Sequence, residues 1–160
     1  MITDSSTLIL LAKCGLLDLF IKRLYLEIPN KVKDESTIVK DTFDSKLITK
    51  RIKEHKIHVS KINNLLFYNN LLRDFNFGKG EAEAITLAFE KKETLLIDDK
   101  KAINACKILG IKFITALNVL VMLYKNKTIN FETAKIILKK LMEYGRYSKE
   151  LIRKVEEDLK

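Results

Sequence analysis

Short apolar segments of strand type alternate with longer amphipathic segments of helix type along the chain, and this order predicts an α/β fold. Alternating strands and helices give a mostly parallel sheet, whose two faces must both be covered by helices. The sequence therefore predicts a three-layer α/β/α sandwich. With 160 residues, 47% of them hydrophobic, and only five Gly and one Pro, we expect a single domain over residues 1–160.

The predicted strands are short apolar runs that end in polar or turn-forming residues. They lie at 1–3, 24–28, 57–60, 94–97 and 112–115. The predicted helices have apolar residues every three to four positions, with cap-type residues such as Asp4 before the first and Pro29 at the start of the third. They lie at 8–13, 16–22, 29–40, 44–56, 63–75, 82–91, 99–109, 116–125, 131–144 and 148–159. The segment Gly78-Lys79-Gly80 predicts a turn before Glu81, since it is too short for a phosphate-binding loop.

The charge balance indicates the kind of partner to expect. Thirty Lys and Arg residues against 21 Asp and Glu give a net charge of +9. This surplus favours a polyanion, nucleic acid before a membrane surface, while a solubilising lysine-rich surface explains the charge equally well. Because no apolar run is long enough to span a bilayer and no signal peptide opens the chain, we expect a soluble, cytoplasmic protein without a membrane partner. Cys14 and Cys106 have no neighbouring metal ligands, so we expect buried thiols rather than a disulfide.

Acidic side chains stand where predicted strands end and where a helix begins. Asp4 follows the first strand, Asp98 and Asp99 follow the strand at 94–97, and Glu81 opens the helix at 82–91. Each acid alone is explained by a helix cap or by the helix dipole, although capping accounts for only one of the two adjacent aspartates. Ligands of parallel sheets bind beyond the carboxyl ends of the strands. If these strands are neighbours, the acids converge at one edge of the sheet.

Converging carboxylates indicate a metal site. They repel one another unless a cation lies between them. A site made only of oxygen ligands, without His or Cys, suits Mg²⁺ or Mn²⁺ rather than Zn²⁺. In a basic protein, such an acidic site matches metal-assisted hydrolysis of phosphodiester bonds.

Four motifs, in order, resemble the PIN-domain family. They are Asp4-Ser5-Ser6-Thr7-Leu8-Ile9, Ile28-Pro29 with Glu35 downstream, Gly80-Glu81-Ala82-Glu83-Ala84-Ile85, and Leu96-Ile97-Asp98-Asp99. Their order and spacing resemble PIN domains over nearly the whole chain, and the VapC-like toxins of bacteria and archaea most closely. The resemblance implies a PIN-like α/β/α sandwich and a Mg²⁺- or Mn²⁺-dependent endoribonuclease. It also implies three partners: RNA, a cognate antitoxin protein and a second copy of the chain in a homodimer.

The same resemblance assigns roles to individual residues. The catalytic residues it implies are Asp4, Glu35, Glu81 and Asp99, all four as metal ligands with Asp98 as a neighbouring ligand. Ser6 is implied as polar support for Asp4. Glu35 rests on the resemblance alone, because a glutamate inside Lys33-Asp34-Glu35 otherwise reads as a solvated helix charge.

Other residues and functions remain open at this point. Lys100 and Lys101 directly follow the acids and are candidates for contacts with substrate phosphates, with solvated helix charge as the alternative. His55 and His58 suggest a metal pair or metal-free acid–base cleavage, but no third partner accompanies them. Rival functions are a PIN fold that binds RNA or protein without cutting, and a structure-specific DNA nuclease. The complete acid set argues against the first and the small size against the second. A purely helical interaction protein leaves the placement of the acids unexplained.

Overall fold

The computed structural model describes residues 1–159, and within them five strands alternate with ten helices. The strands are β1 (Ile2–Thr3), β2 (Leu26–Pro29), β3 (Ile57–Ser60), β4 (Leu95–Leu96) and β5 (Phe113–Ile114). The helices are α1 (Ser5–Cys14), α2 (Leu17–Ile21), α3 (Asn30–Thr37), α4 (Phe43–Lys53), α5 (Leu65–Phe75), α6 (Lys79–Lys91), α7 (Lys100–Leu109), α8 (Ala116–Lys125), α9 (Phe131–Tyr144) and α10 (Lys149–Asp158). All strands are parallel, in the order β3-β2-β1-β4-β5, which confirms the predicted architecture.

The predicted start of α6 and the predicted end of α3 are both wrong, and local contacts explain the differences. Gly78-Lys79-Gly80 is not a turn before a helix, because Gly78 is the N-cap of α6 and Gly80 lies in its first turn. The helix predicted at 29–40 ends at Thr37. There the hydroxyls of Ser36 and Thr37 both donate to the carbonyl oxygen of Lys33, and side-chain bonds of this kind compete with continued helix.

The central position of β1 brings the predicted acids to one edge of the sheet. Ile2 pairs with β2 on one side and with Leu95 of β4 on the other, and Thr3 pairs with Leu96. Asp4 directly follows Thr3, and Asp98 lies two residues beyond Leu96. Because the strands are parallel, both acids leave the sheet at its carboxyl edge.

The core explains why such short strands are stable. Ile2, Leu95, Leu96 and Ile97 are all fully buried, as expected for central strands with helices on both faces. Cys14 and Cys106 are buried free thiols, which confirms that prediction. In the described part of the chain, no helix has the length and apolar character needed to cross a membrane.

Candidate active site

Asp4 lies at the junction of β1 and α1, with its carboxylate completely buried. Oδ1 accepts a hydrogen bond from the Thr7 N–H at 3.1 Å and so caps α1. Oδ2 is buried as well but has no hydrogen-bond partner among residues 1–159. Burial raises the pKa of Asp4 from 3.8 to about 6, and the charges of Glu81 and Asp98 act in the same direction. Burying an oxygen without a hydrogen-bond partner costs free energy. Capping of α1 therefore explains the position of Oδ1 but not that of Oδ2.

Asp98, just beyond β4, is held by three contacts. Its Oδ1 accepts from the Tyr147 hydroxyl at 2.7 Å, and its Oδ2 accepts from the Ala116 N–H at the start of α8 at 3.1 Å. Its own N–H donates to Thr7 Oγ1 at 3.2 Å, so Thr7 contacts both Asp4 and Asp98. Burial raises the pKa of Asp98, and the hydrogen bond from Tyr147 opposes that rise.

Asp99 is exposed and caps α7, with Oδ1 accepting from the Ala102 N–H at 2.9 Å. The two adjacent aspartates therefore both have structural contacts, Asp99 with α7 and Asp98 with the first residue of α8. Capping in the strict sense accounts for Asp99 alone, as the sequence indicates, because Thr115 is the N-cap of α8. The contact of Asp98 with α8 could not be predicted from local sequence, because that helix begins 18 residues further along the chain.

Glu81 and Glu35 meet at the start of α6. Glu81 Oε2 accepts from the Gly78 N–H at 3.1 Å. Burial raises the pKa of Glu81, with the charges of Asp99 and Glu35 adding to the effect. Glu35 reaches across from α3, where Oε1 accepts from the Gly80 N–H at 3.0 Å and Oε2 from Ser5 Oγ at 2.6 Å. Since Ser5 follows Asp4 and Gly80 precedes Glu81, Glu35 lies between these two acids.

Gly80 permits this approach. A Cβ at position 80 would overlap the carboxylate of Glu35, so a larger residue there would require the Glu35 side chain to shift away from the first turn of α6. The free N–H groups at a helix start also favour an anion there. The hydrophobic periodicity of the sequence could not reveal Glu35. A glycine in the first turn of α6, however, indicates that another group approaches the backbone there.

The remaining predicted site residues, Ser6, Lys100 and Lys101, differ in how close they lie to the acids. Ser6 is exposed, and the hydrogen bonds within residues 1–159 give the support of Asp4 to Thr7 instead. Lys101 lies near Glu81 and lowers its pKa, while its Nζ donates to the Asn76 carbonyl oxygen at 2.9 Å. Lys100 is exposed beside it.

The two histidines lie outside this site. His58 stacks on Tyr25 on the β2–β3 side of the sheet, with a ring-centroid distance of 4.3 Å. His55 occupies a left-handed turn after α4, with φ of 55°. Among residues 1–159 the hydrogen-bond partners of Asp4, Glu81 and Asp98 include neither histidine.

Comparison with known protein families identifies the family of this chain. A family model described as a PIN domain matches residues 1–160. The chain belongs to the PIN-domain family. Neither the curated proteins nor the solved structures include a significant match to it. PIN domains are generally nucleases, a class of hydrolase, and they typically use divalent metals. The family expected from the motifs is thus confirmed, and the closer kinship with VapC-like toxins stays a prediction.

Carboxylates such as those of this PIN domain are the ligand type that hard divalent cations prefer. We call the following five residues the acid cluster: Asp4, Glu35, Glu81, Asp98 and Asp99. The negative charges of the cluster raise the pKa of its members: Glu81 and Asp98 raise that of Asp4, and Asp99 and Glu35 raise that of Glu81. All the side-chain atoms that these acids offer as ligands are oxygen, and Asp4 Oδ2 has no hydrogen-bond partner among residues 1–159. Within residues 1–159 no group of three or more His, Cys, Asp and Glu side chains is arranged so that it could hold a metal ion. Mg²⁺ does not need such a group, since it usually keeps several waters and takes one or two carboxylates.

Proposed function

We propose that this PIN domain is a divalent-metal-dependent endoribonuclease that hydrolyses phosphodiester bonds in RNA. The observation that carries the proposal is Asp4 Oδ2, a buried carboxylate oxygen without a hydrogen-bond partner among the described residues, beside other acids of raised pKa. A buried charge left unpaired is expensive, so folding alone gives no reason to place it there. A bound Mg²⁺ or Mn²⁺ ion would supply the missing partner of Asp4 Oδ2.

The acid cluster divides into an inner and an outer part. Asp4, which is buried, and Asp98, which is partly buried, would be the inner ligands at the strand ends, and Thr7 contacts both. The outer ligands are Glu81, Asp99 and Glu35, at the starts of α6 and α7 and on α3. When bound, divalent cations activate a water and offset the charge that develops on the leaving oxygen.

The remaining contacts of the chain orient these carboxylates. Tyr147 and the first turn of α8 fix the plane of the Asp98 carboxylate through bonds to both of its oxygens. Ser5 and the Gly80 N–H hold Glu35 at the start of α6. Ligands held in this way need little reordering before metal or substrate binds.

RNA is the proposed substrate because of the net charge of +9 and the motif resemblance. Incubation of the purified chain with labelled RNA and labelled DNA, with Mn²⁺ or with a chelator, tests the proposal. We expect internal cuts in RNA that require the metal. Cutting of DNA alone would favour the structure-specific DNA nuclease. Binding without any cutting in Mn²⁺ or Mg²⁺ would favour the non-catalytic module.

We further propose that this nuclease acts as the toxin of a toxin–antitoxin pair and forms a homodimer, on the strength of the motif order shared with VapC-like toxins. Growth arrest on induction that depends on Asp4 would support the toxin role. Normal growth during expression of an active nuclease would contradict it.

A further inference from the structure

A groove lined with lysines lies on the surface formed by the end of α3 and by α4. Its polar lining consists mainly of Thr37, Lys40, Lys46, Thr49, Lys50 and Lys53, around a volume of about 710 Å³. Only one acid, Glu54, joins this lining. A groove of this size has room for a nucleotide-sized group, and its charge is suited to an anionic one.

The lysines of α4 form a stripe along one side of the helix. Lys46, Lys50 and Lys53 are spaced four and then three residues apart, so their side chains share a face. Both Lys46 and Lys50 are about two-thirds exposed, at 65% and 64% of the side chain. Their ion pairs, with Asp41 at 3.8 Å and Glu54 at 3.9 Å, are long and surface-exposed and hold them weakly. Like charges at this spacing repel one another, although Lys50 and Lys53 lie in the last turn of α4, where the helix dipole favours basic residues.

An exposed aromatic ring continues the same stripe. Phe43 is the first residue of α4, three positions before Lys46, and it is 70% exposed. Aromatic rings beside cationic side chains are the surface on which single-stranded nucleic acids stack their bases. Lysine and phenylalanine on one face of α4 thus match the backbone and the bases of the same strand.

The groove is connected to the acid cluster through α3. This short helix directs Glu35 towards Ser5 and Gly80, and two residues later Thr37 lines the groove. The lip of the groove therefore lies roughly one helix diameter, about 10 Å, from the cluster. That separation is about one Debye length at physiological salt. A polyanion bound to the lysines therefore lies where much of its repulsion from the acid cluster is screened by salt.

We infer that the α3–α4 groove binds the RNA strand next to the cleavage site, with Lys46, Lys50 and Lys53 on phosphates and Phe43 under a base. The inference rests on the proposed ribonuclease function and adds the surface that binds its substrate. The strand would cross α3 between the groove and the acid cluster.

Binding of a labelled single-stranded RNA of about 15 nucleotides, measured in chelator over a range of salt concentrations, tests the groove. The Lys46→Ala, Lys50→Ala, Lys53→Ala triple variant should bind more weakly, and the slope of log K against log salt should become shallower by about 2. Phe43→Ala should weaken binding by roughly tenfold and leave the slope unchanged, because it removes stacking and no charge.

A matched triple variant removes the same charge elsewhere. Lys107, Lys139 and Lys154 are exposed on α7, α9 and α10, and their replacement by Ala should leave most of the slope. Equal slopes of log K against log salt in the two triple variants, or no RNA binding by the parent, would overturn the proposal that the groove binds RNA. So would competition by polyglutamate as strong as that by unlabelled RNA, which would indicate an acidic protein partner. A further outcome is that the parent cuts no RNA while its salt slope of RNA binding becomes shallower only in the α4 triple variant. In that case the nuclease proposal fails and RNA binding by the groove is supported.

Discussion

Asp4→Asn and Glu81→Gln should each lower RNA cleavage by about 10³-fold or more. Both substitutions preserve the shape of the side chain and remove the charge that attracts the cation. The loss of several kcal/mol of transition-state stabilisation that a bound metal supplies corresponds to about three powers of ten in rate. Cleavage of labelled RNA in Mn²⁺, with folding checked by circular dichroism, measures the effect.

Glu83→Gln is the matched control on the same helix. Glu83 Oε2 accepts a hydrogen bond from the Lys31 N–H at the start of α3 at 2.8 Å, and this bond does not involve a member of the acid cluster. A glutamine keeps an acceptor oxygen there, so cleavage should stay within a few-fold of the parent. Equal losses in the Glu81 and Glu83 variants, or full activity after Asp4→Asn, would show that these acids do not form the active site.

Metal-free protein should lose stability as the pH rises from about 4 to about 7, and Asp4 should account for a large part of the loss. The pKa of Asp4 is 3.8 in its ordinary state and about 6 in the folded chain. Between these values the folded state keeps a proton that the unfolded chain has released, so the free energy of unfolding falls with rising pH. The contribution is complete below pH 3.8 and is lost as pH passes 6. A shift of this size corresponds to about 3 kcal/mol.

Urea unfolding in chelator, at several pH values, measures this contribution. Relative to the parent, Asp4→Asn should gain up to about 3 kcal/mol between pH 4 and pH 7, because its amide does not ionise. Burial raises the pKa of Glu81 and Asp98 as well, so a smaller fall with pH should remain in the variant. A constant difference between parent and variant over this range would contradict the role assigned to Asp4.

The sequence predicts the sheet and the inner acids well because both depend on local patterns. Apolar runs that end in Asp4 and Asp98 indicate strands that leave the core at a polar edge, and the structure places both acids at that edge. The pairing of β1 with β4 is the one long-range fact needed to bring them together. Parallel α/β topology makes that pairing common, so the inference from pattern to site is short.

The contacts that complete the site could not be predicted because they join distant segments. Glu35 bonds to Gly80, 45 residues away, and Tyr147 bonds to Asp98, 49 residues away. Neither residue lies in a local pattern that distinguishes it from surface charge or core aromatics. The motif predicts Ser6 as the polar support of Asp4, whereas in the structure the Thr7 N–H donates to Asp4 and the Ser5 hydroxyl donates to Glu35.

The central claim is that the acid cluster binds a divalent cation, and calorimetric titration with Mn²⁺ tests it most directly. At a pH of about 7.5, where Asp4 is ionised, the parent and Glu83→Gln proteins should bind Mn²⁺ alike. Asp4→Asn should bind it at least about tenfold more weakly, because it loses a coordinating charge. Equal affinity in the parent and the Asp4→Asn variant, or no binding by the parent, would contradict the account.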